Sequence, residues 1–212
     1  MNPKICLSIG NLNFSEILMQ IQTVALAEIR MDLLQLTDDE LATIFNQHKN
    51  LIATYRTLTD FDGMVAVLTK AIRSGCAYID IDIETPEDYR KKLIEIAKKH
   101  GCKVILSYHN FTETPDSEKL NQIAQNLFVN KADIAKIACM ANSENDCERV
   151  LKLYTNHKNL VAFAMGEIGK STRIQSVKLG APFTYASVKG KETASGQISY
   201  ADMERILGKN DK

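Results

Sequence analysis

Short apolar runs alternate with longer amphipathic segments along almost the whole chain. Each run is followed by a segment in which apolar residues recur at helical spacing. In Pro86–Lys99, for example, Tyr89, Leu93, Ile96 and Ala97 fall on one helical face, with lysines between them. The pattern therefore predicts eight strand–helix units. The eight runs are Lys4–Ile9, Val24–Met31, Leu51–Arg56, Ala77–Ile83, Lys103–Tyr108, Asp133–Cys139, Leu160–Met165 and Phe183–Ser187.

The spacing and polarity of these runs predict an α/β fold. Most runs are too continuously apolar to have one face in water, which is typical of parallel strands covered by helices. An open doubly wound sheet more often has about five to seven strands, whereas eight units fit a closed barrel. We therefore predict a (β/α)8 TIM barrel that forms a single domain over residues 1–212.

The composition favours a small-molecule partner. Lys and Arg together number 26, and so do Asp and Glu, so no charge excess attracts nucleic acid or a membrane surface. No window reaches the roughly 18 apolar residues of a membrane span, and the start of the chain does not resemble a signal peptide. The five cysteines are widely spaced without a CxxC pair, which favours buried thiols over disulfides or zinc ligands. We expect a cytoplasmic protein.

Several predicted strands carry charged residues on one face. Side chains alternate along a strand, and the opposite faces of these strands are apolar, as packing against helices requires. The charged faces should therefore point into the barrel, where charges are tolerated only if they are paired. We expect Glu28, Asp80 and Asp82 to lie near Arg30, Arg56 and Lys136. A purely structural polar core is the alternative.

Lys136 lies in the middle of the apolar run Asp133–Cys139, in phase with inward positions. Burial disfavours the charged form of an amine, and a neutral amine attacks carbonyl groups. His109 is the one histidine at the C-terminal end of a predicted strand, and it precedes Lys136 by one strand–helix repeat. The pair predicts a Schiff-base lysine beside a histidine that carries protons. The other histidines lie just before strands, at His48, His100 and His157.

Seven separated motifs follow one another in a specific order. They are Ala27–Asp32, Tyr55–Thr57, Ile79–Asp82, Ser107–Phe111, Asp133–Ala138, Met165–Arg173 and Ala194–Ser199. Together they resemble the type I 3-dehydroquinate dehydratases, the Schiff-base class of the shikimate pathway. The resemblance implies a (β/α)8 barrel, usually a homodimer, that converts 3-dehydroquinate to 3-dehydroshikimate without a cofactor or metal.

The resemblance also implies roles for individual residues. Lys136 would condense with the C3 ketone, and His109 would remove a C2 proton and then protonate the departing C1 hydroxyl. Arg173 would hold the substrate carboxylate, a task that suits a planar bidentate donor. The other residues assigned to substrate binding are Ser8, Glu28, Ile29, Arg30, Arg56, Thr193 and Gln197, with Asp32, Asp60 and Asp80 in supporting positions.

The chain departs from the family pattern at three places. Thr193 occupies a position in the closing loop where relatives often have serine, and Ala135 replaces a proline before the lysine. Where many relatives have a Lys-Glu pair, this chain has Thr59-Asp60. A shorter carboxylate must therefore orient His109, and Asp60 or Asp80 is expected to do so.

Two other functions remain open at this point. A class I aldolase would also use a barrel lysine on its sixth strand, and an inactive barrel could act as a binding or regulatory module. The carboxylate-binding Arg173 and the Ser195–Ser199 loop favour the dehydratase over the aldolase. The presence of Lys136, His109 and Gln197 disfavours an inactive module.

Overall fold

A computed structural model describes residues 5–208, in which eight strands alternate with helices. The strands are β1 (Ile5–Ile9), β2 (Ala27–Arg30), β3 (Leu51–Thr54), β4 (Tyr78–Asp82), β5 (Lys103–Asn110), β6 (Ile134–Met140), β7 (Leu160–Met165) and β8 (Thr184–Ser187). The helices are α1 (Phe14–Ile21), α2 (Asp38–Gln47), α3 (Phe61–Arg73), α4 (Glu87–Lys99), α5 (Ser117–Val129), α6 (Glu144–Lys152), α7 (Gly166–Gly169), α8 (Thr172–Lys178) and α9 (Tyr200–Gly208). Every predicted run overlaps a strand, and β5 and β6 extend one or two residues beyond their runs. Lys4, the first residue of the first run, lies outside the described residues.

All neighbouring strands are parallel, and the chain places them in the order β7-β6-β5-β4-β3-β2-β1-β8. The last strand returns beside the first, with Ile5 opposite Thr184 and Ser8 opposite Ser187. Across the remaining gap, the rings of Phe163 on β7 and Tyr185 on β8 lie 6.1 Å apart. The sheet therefore curls into a nearly closed barrel, and the predicted (β/α)8 fold is confirmed.

Strand alternation divides the apolar residues into two cores. The outer core lies between the sheet and the helices and contains Leu7, Ile9 and Ile29. The inner core fills the barrel with residues such as Ile105 and Val161. The buried side chain of Ile29 thus faces the helices, which corrects the expectation that it contacts substrate.

Several helix ends have polar cap residues, and the cysteines are buried thiols. Capping boxes at Asn13 and Thr37 satisfy backbone N–H groups at the starts of α1 and α2. His100 is the C-cap of α4, where the partial negative charge of a helix end suits it. All five cysteines are free and buried. Among residues 5–208, no helix is long and apolar enough to cross a membrane.

Candidate active site

The polar residues of the strands converge on a cavity at the C-terminal end of the barrel. The cavity measures about 760 Å³. Functional side chains of (β/α)8 barrels are found at this end, because the loops that follow the strands meet there. The sequence-predicted residues that line it include Glu28, Arg56, His109, Lys136, Arg173 and Gln197.

Lys136 projects inward from β6 and is 6% exposed. Its Nζ lies 2.8 Å from Asp80 Oδ2 and 3.8 Å from Glu28 Oε1. The same nitrogen lies 4.3 Å from the centroid of the Tyr185 ring. The nearest groups to the amine are thus an aromatic face and two carboxylates, and both carboxylates are among those expected near it from the sequence.

Asp80 is fully buried on β4 and collects hydrogen bonds from three residues. Its Oδ1 accepts from Arg56 Nη2 at 2.7 Å and from Ser107 Oγ at 2.6 Å, and its Oδ2 accepts from Lys136. Burial alone would raise the pKa of Asp80, but the charges of Arg56 and Lys136 together lower it below its usual range. Asp80 is therefore an ionised counterion that fixes both cations.

His109 pairs with a different carboxylate. Its Nδ1 lies 2.8 Å from Asp82 Oδ2, which also accepts from Arg56 Nη1 at 3.3 Å. Burial would raise the pKa of Asp82, but the hydrogen bond from His109 and the charge of Arg56 lower it. Because Asp82 is ionised, Nδ1 must carry the hydrogen that it donates, and Nε2 is left as the free base.

The contact with Asp82 corrects the expectation that Asp60 or Asp80 orients His109. Asp60 is the N-cap of α3, and its Oδ1 accepts a hydrogen bond from Gly63 N at 2.9 Å. Asp80 lies one pleat lower on β4 and is occupied by Lys136. Asp82 lies opposite Ser107 on the neighbouring strand β5. Ser107 in turn lies two residues before His109, on the same face of β5.

The surroundings of His109 keep its ring neutral. Burial and the nearby charge of Arg56 lower its pKa to about 4, against the opposing effect of the hydrogen bond to Asp82. Phe111 stacks beside the ring, with centroids 5.9 Å apart and planes inclined by 10°. At neutral pH, the site therefore holds an oriented imidazole that can accept a proton.

Glu28 is held by hydroxyl groups on the two neighbouring strands, and one of these, that of Ser8, also contacts the loop that follows the last strand. Its Oε2 accepts from Ser8 Oγ at 2.6 Å, and its Oε1 accepts from Thr54 Oγ1 at 2.9 Å. Ser8 Oγ also lies 2.9 Å from Thr193 Oγ1. Ser8 is buried and is not among the residues that line the cavity, so it supports Glu28 and Thr193 from below.

Arg30 lines the cavity from the end of β2 and is held by Asp32. Its Nε and Nη2 donate to the two carboxylate oxygens of Asp32 at 3.0 and 2.7 Å. This bidentate pair fixes the plane of the guanidinium group. Asp32 thus occupies the supporting position that the sequence assigned to it.

Arg173 is fully buried on α8 and lies over the Phe163 ring, with Cζ 4.1 Å from the ring centroid. Its Nε donates to Gly196 O at 3.1 Å and its Nη2 to Ser195 O at 3.4 Å. Nη1 is buried and has no hydrogen-bond partner among residues 5–208. Burial lowers the pKa of Arg173 to about 10, so the group stays charged at neutral pH. A buried, charged donor facing the cavity can bind an anion.

The closing loop, residues 188–199, folds over the cavity. Gln197 Oε1 accepts from the backbone N of Thr193 at 2.7 Å and of Ala194 at 3.3 Å. Gln197 Nε2 donates to Thr193 Oγ1 at 3.1 Å. Hydrogen bonds within the loop therefore fix its conformation. Thr193 and Gln197, which the sequence assigned to substrate binding, both line the cavity from this loop.

Thr54 and Tyr185 are among the residues of the site that were missed at the level of sequence. Thr54 supports Glu28, and Tyr185 lies under Lys136. An aromatic residue in an apolar strand is usually core, so only its in-phase position on β8 could have indicated a place in the barrel interior.

Among residues 5–208, no group of three or more His, Cys, Asp or Glu side chains is arranged to hold a metal ion.

Comparisons with known proteins agree with this geometry. The model of the type I 3-dehydroquinase family matches residues 5–211. A 3-dehydroquinate dehydratase of Dehalococcoides mccartyi is 37% identical over 214 residues, which cover 96% of this chain and 94% of the relative. One from Methanocaldococcus jannaschii is 33% identical over 193 residues and 85% of each chain. The crystal structure of the 3-dehydroquinate dehydratase from Aquifex aeolicus has a TM-score of 0.82 at 27% identity, covering 97% of this chain and 98% of that one. This chain belongs to the type I 3-dehydroquinase family.

Proposed function

We propose that this protein dehydrates 3-dehydroquinate to 3-dehydroshikimate through an imine on Lys136. The observation that carries the proposal is the constellation in one cavity. It consists of a buried lysine, a histidine held by Asp82, and a buried arginine with an unpaired Nη1. The family to which the chain belongs and the names of its relatives support the same reaction.

The reaction begins at Nζ of Lys136. The amine must lose a proton before it attacks the C3 ketone, and the neutral His109 is the base available in the cavity. Attack gives a carbinolamine, which loses water to form a cationic imine. Asp80, 2.8 Å from Nζ, supplies a fixed negative charge to the nitrogen that carries the positive charge.

The elimination uses His109. Its Nε2 takes the C2 proton, and the electrons of the C–H bond move into the imine to form an enamine. The enamine then expels the C1 hydroxyl, which takes a proton from the imidazolium and leaves as water. Hydrolysis of the product imine consumes the water that was released when the imine formed. The balance is the loss of one water molecule from the substrate.

Substrate orientation depends on guanidinium groups that line the cavity, those of Arg173 and Arg30. Arg173 offers Nη1 to the carboxylate while its other nitrogens hold the closing loop. Arg30, fixed by Asp32, faces the hydroxyl groups together with Glu28 and Gln197. A carboxylate on Arg173 places the C2 proton and C1 hydroxyl of the substrate toward His109.

An activity assay tests the proposal. The product has a double bond conjugated with its carboxylate, so its formation is followed by ultraviolet absorbance. We expect turnover by the wild-type protein and a loss of about a thousandfold or more in Lys136→Met. Lys152→Met, at an exposed position on α6, is the matched control and should keep wild-type activity. Binding of 3-dehydroquinate without turnover would favour the inactive module, and cleavage into two carbon fragments would favour the aldolase.

Three further features of the protein stay predictions. They are the homodimer that the family resemblance implies, a cytoplasmic location, and the organisation of residues 1–212 as one catalytic domain.

A further inference from the structure

The ring of Tyr185 forms one wall of the space around the reacting nitrogen. Tyr185 lies on β8 and is 2% exposed, and its ring centroid is 4.3 Å from Lys136 Nζ. Phe163 and Phe183 hold the ring in place, with centroids 6.1 and 5.6 Å away. The ring face is therefore a fixed part of the site.

The hydroxyl group does not explain why an aromatic residue occupies this position. Tyr185 Oη is buried and has no hydrogen-bond partner within residues 5–208. An unpaired buried hydroxyl is unfavourable for stability, and a phenylalanine would avoid this penalty. The group that contacts Lys136 is the π face, which attracts a cation without requiring an N–H bond.

We propose that the Tyr185 ring is a catalytic group that keeps the imine on Lys136 protonated during the elimination. This inference rests on the proposed function. The lysine ammonium has three N–H donors and, among residues 5–208, donates one hydrogen bond to a carboxylate, that of Asp80, whereas the protonated imine has a single N–H. Asp80 can retain the remaining N–H, and the attraction of the ring face persists unchanged. Only the protonated imine withdraws electrons strongly enough to accept those of the C2–H bond.

Removal of the ring should therefore lower the pH at which the imine loses its proton. In Tyr185→Leu and Tyr185→Met, we expect the alkaline limb of kcat to move down by about 1.5 pH units, which corresponds to a desolvated cation–π interaction. Tyr185→Phe keeps the π face and should retain the wild-type limb, with thermal stability equal to or above that of the wild type. Methionine fills more of the space than leucine and serves as the second variant if the first does not fold.

The experiment is kcat as a function of pH for the wild type and the three variants, together with borohydride trapping and mass measurement of each. An adduct on Lys136 in all four proteins, with the limb moved only in the leucine and methionine variants, is the expected result. Adducts in all four with the same alkaline limb would overturn the role of Tyr185 and leave the proposed function intact. A shift in Tyr185→Phe equal to that of Tyr185→Met would assign the effect to the hydroxyl and also overturn it. No adduct in the wild type would overturn the proposed function itself.

Discussion

Asp80 and Asp82, two residues apart on one face of β4, bind different catalytic side chains. Asp80 serves Lys136 and Asp82 serves His109, while Arg56 donates to both carboxylates. The pKa values of both carboxyl groups are lowered by these partners in spite of burial, so both stay ionised. Lys136, Arg56 and the two carboxylates thus each have a counterion within hydrogen-bond distance, which makes these charges tolerable inside the barrel.

The contact between Asp82 and His109 predicts a clear ranking of two variants. Asp82→Asn should lower kcat by about tenfold or more, because the ring loses the carboxylate that selects its tautomer and stabilises the imidazolium. Asp60→Asn should keep nearly wild-type kcat, because asparagine also caps helices and this side chain bonds to the backbone of α3. Steady-state kinetics compares the two. An equal loss in both variants, or a larger loss in Asp60→Asn, would contradict the assignment.

The low pKa of His109 predicts the acid side of the pH profile. Because the folded-state pKa is about 4, below the ordinary value of about 6.5, the neutral base persists well below pH 6.5. We expect kcat/KM to fall only as the pH drops toward about 4. Asp82→Asn should move this limb to still lower pH, because the carboxylate raises the pKa of the ring. An acid limb centred near pH 6.5 would show that the ring is not shielded as described.

The lowered pKa of His109 also makes the free energy of unfolding depend on pH. The unfolded chain takes up a proton at this histidine near pH 6.5, whereas the folded chain resists it until about pH 4. Stability is therefore fully present above about pH 6.5 and declines as the pH falls from 6.5 toward 4. Denaturant unfolding at several pH values in His109→Asn, compared with the wild type, should show that part of this decline disappears.

At the level of elements, strand alternation was sufficient to identify the inward residues. It placed Lys136 inside the barrel, and it put Glu28 and Asp80 on inward faces as well. It could not determine which carboxylate meets which base, because that depends on the stagger between β4 and β5 and on side-chain length. Asp60 shows what the sequence could not determine. The family pattern suggested that its carboxylate orients His109, but the carboxylate instead caps the start of α3.

The position of the closing loop over the cavity depends on one glycine, Gly196. Gly196 has φ +71°, and a Cβ there would lie 2.3 Å from Gly166 O, so Gly196→Ala should prevent the loop from seating over the cavity. We expect kcat/KM to fall by roughly tenfold, because water is no longer excluded from the imine. Gly190→Ala is the matched control, since its φ is +73° and nothing lies within 4 Å of the added Cβ.

Kinetics and thermal unfolding separate the two glycine variants. Both carry the backbone strain of a positive φ, and Gly196→Ala adds the contact with Gly166, so it should lose at least as much stability as Gly190→Ala. Only Gly196→Ala should lose activity. Equal activity in the two variants would show that the contact between Gly196 and Gly166 does not matter for catalysis.

At the level of the whole molecule, eight repeated strand–helix units were enough to predict the barrel. The fold follows from apolar runs that must be buried on both faces, and this requirement does not depend on individual side chains. The outcome is a barrel with an apolar inner core and a charged layer at the C-terminal end of its strands. The homodimer has no such basis in the pattern, and sedimentation equilibrium of the purified protein should give twice the chain mass if it is correct.

The most direct test of the role of Lys136 is to trap the imine. Borohydride is added to the protein in the presence of 3-dehydroquinate, and the modified peptide is identified by mass spectrometry. We expect a reduced adduct on Lys136 and on no other lysine, and no adduct in Lys136→Met. A protein that turns over 3-dehydroquinate without forming an adduct, or that forms it at a different lysine, would contradict the central role of Lys136.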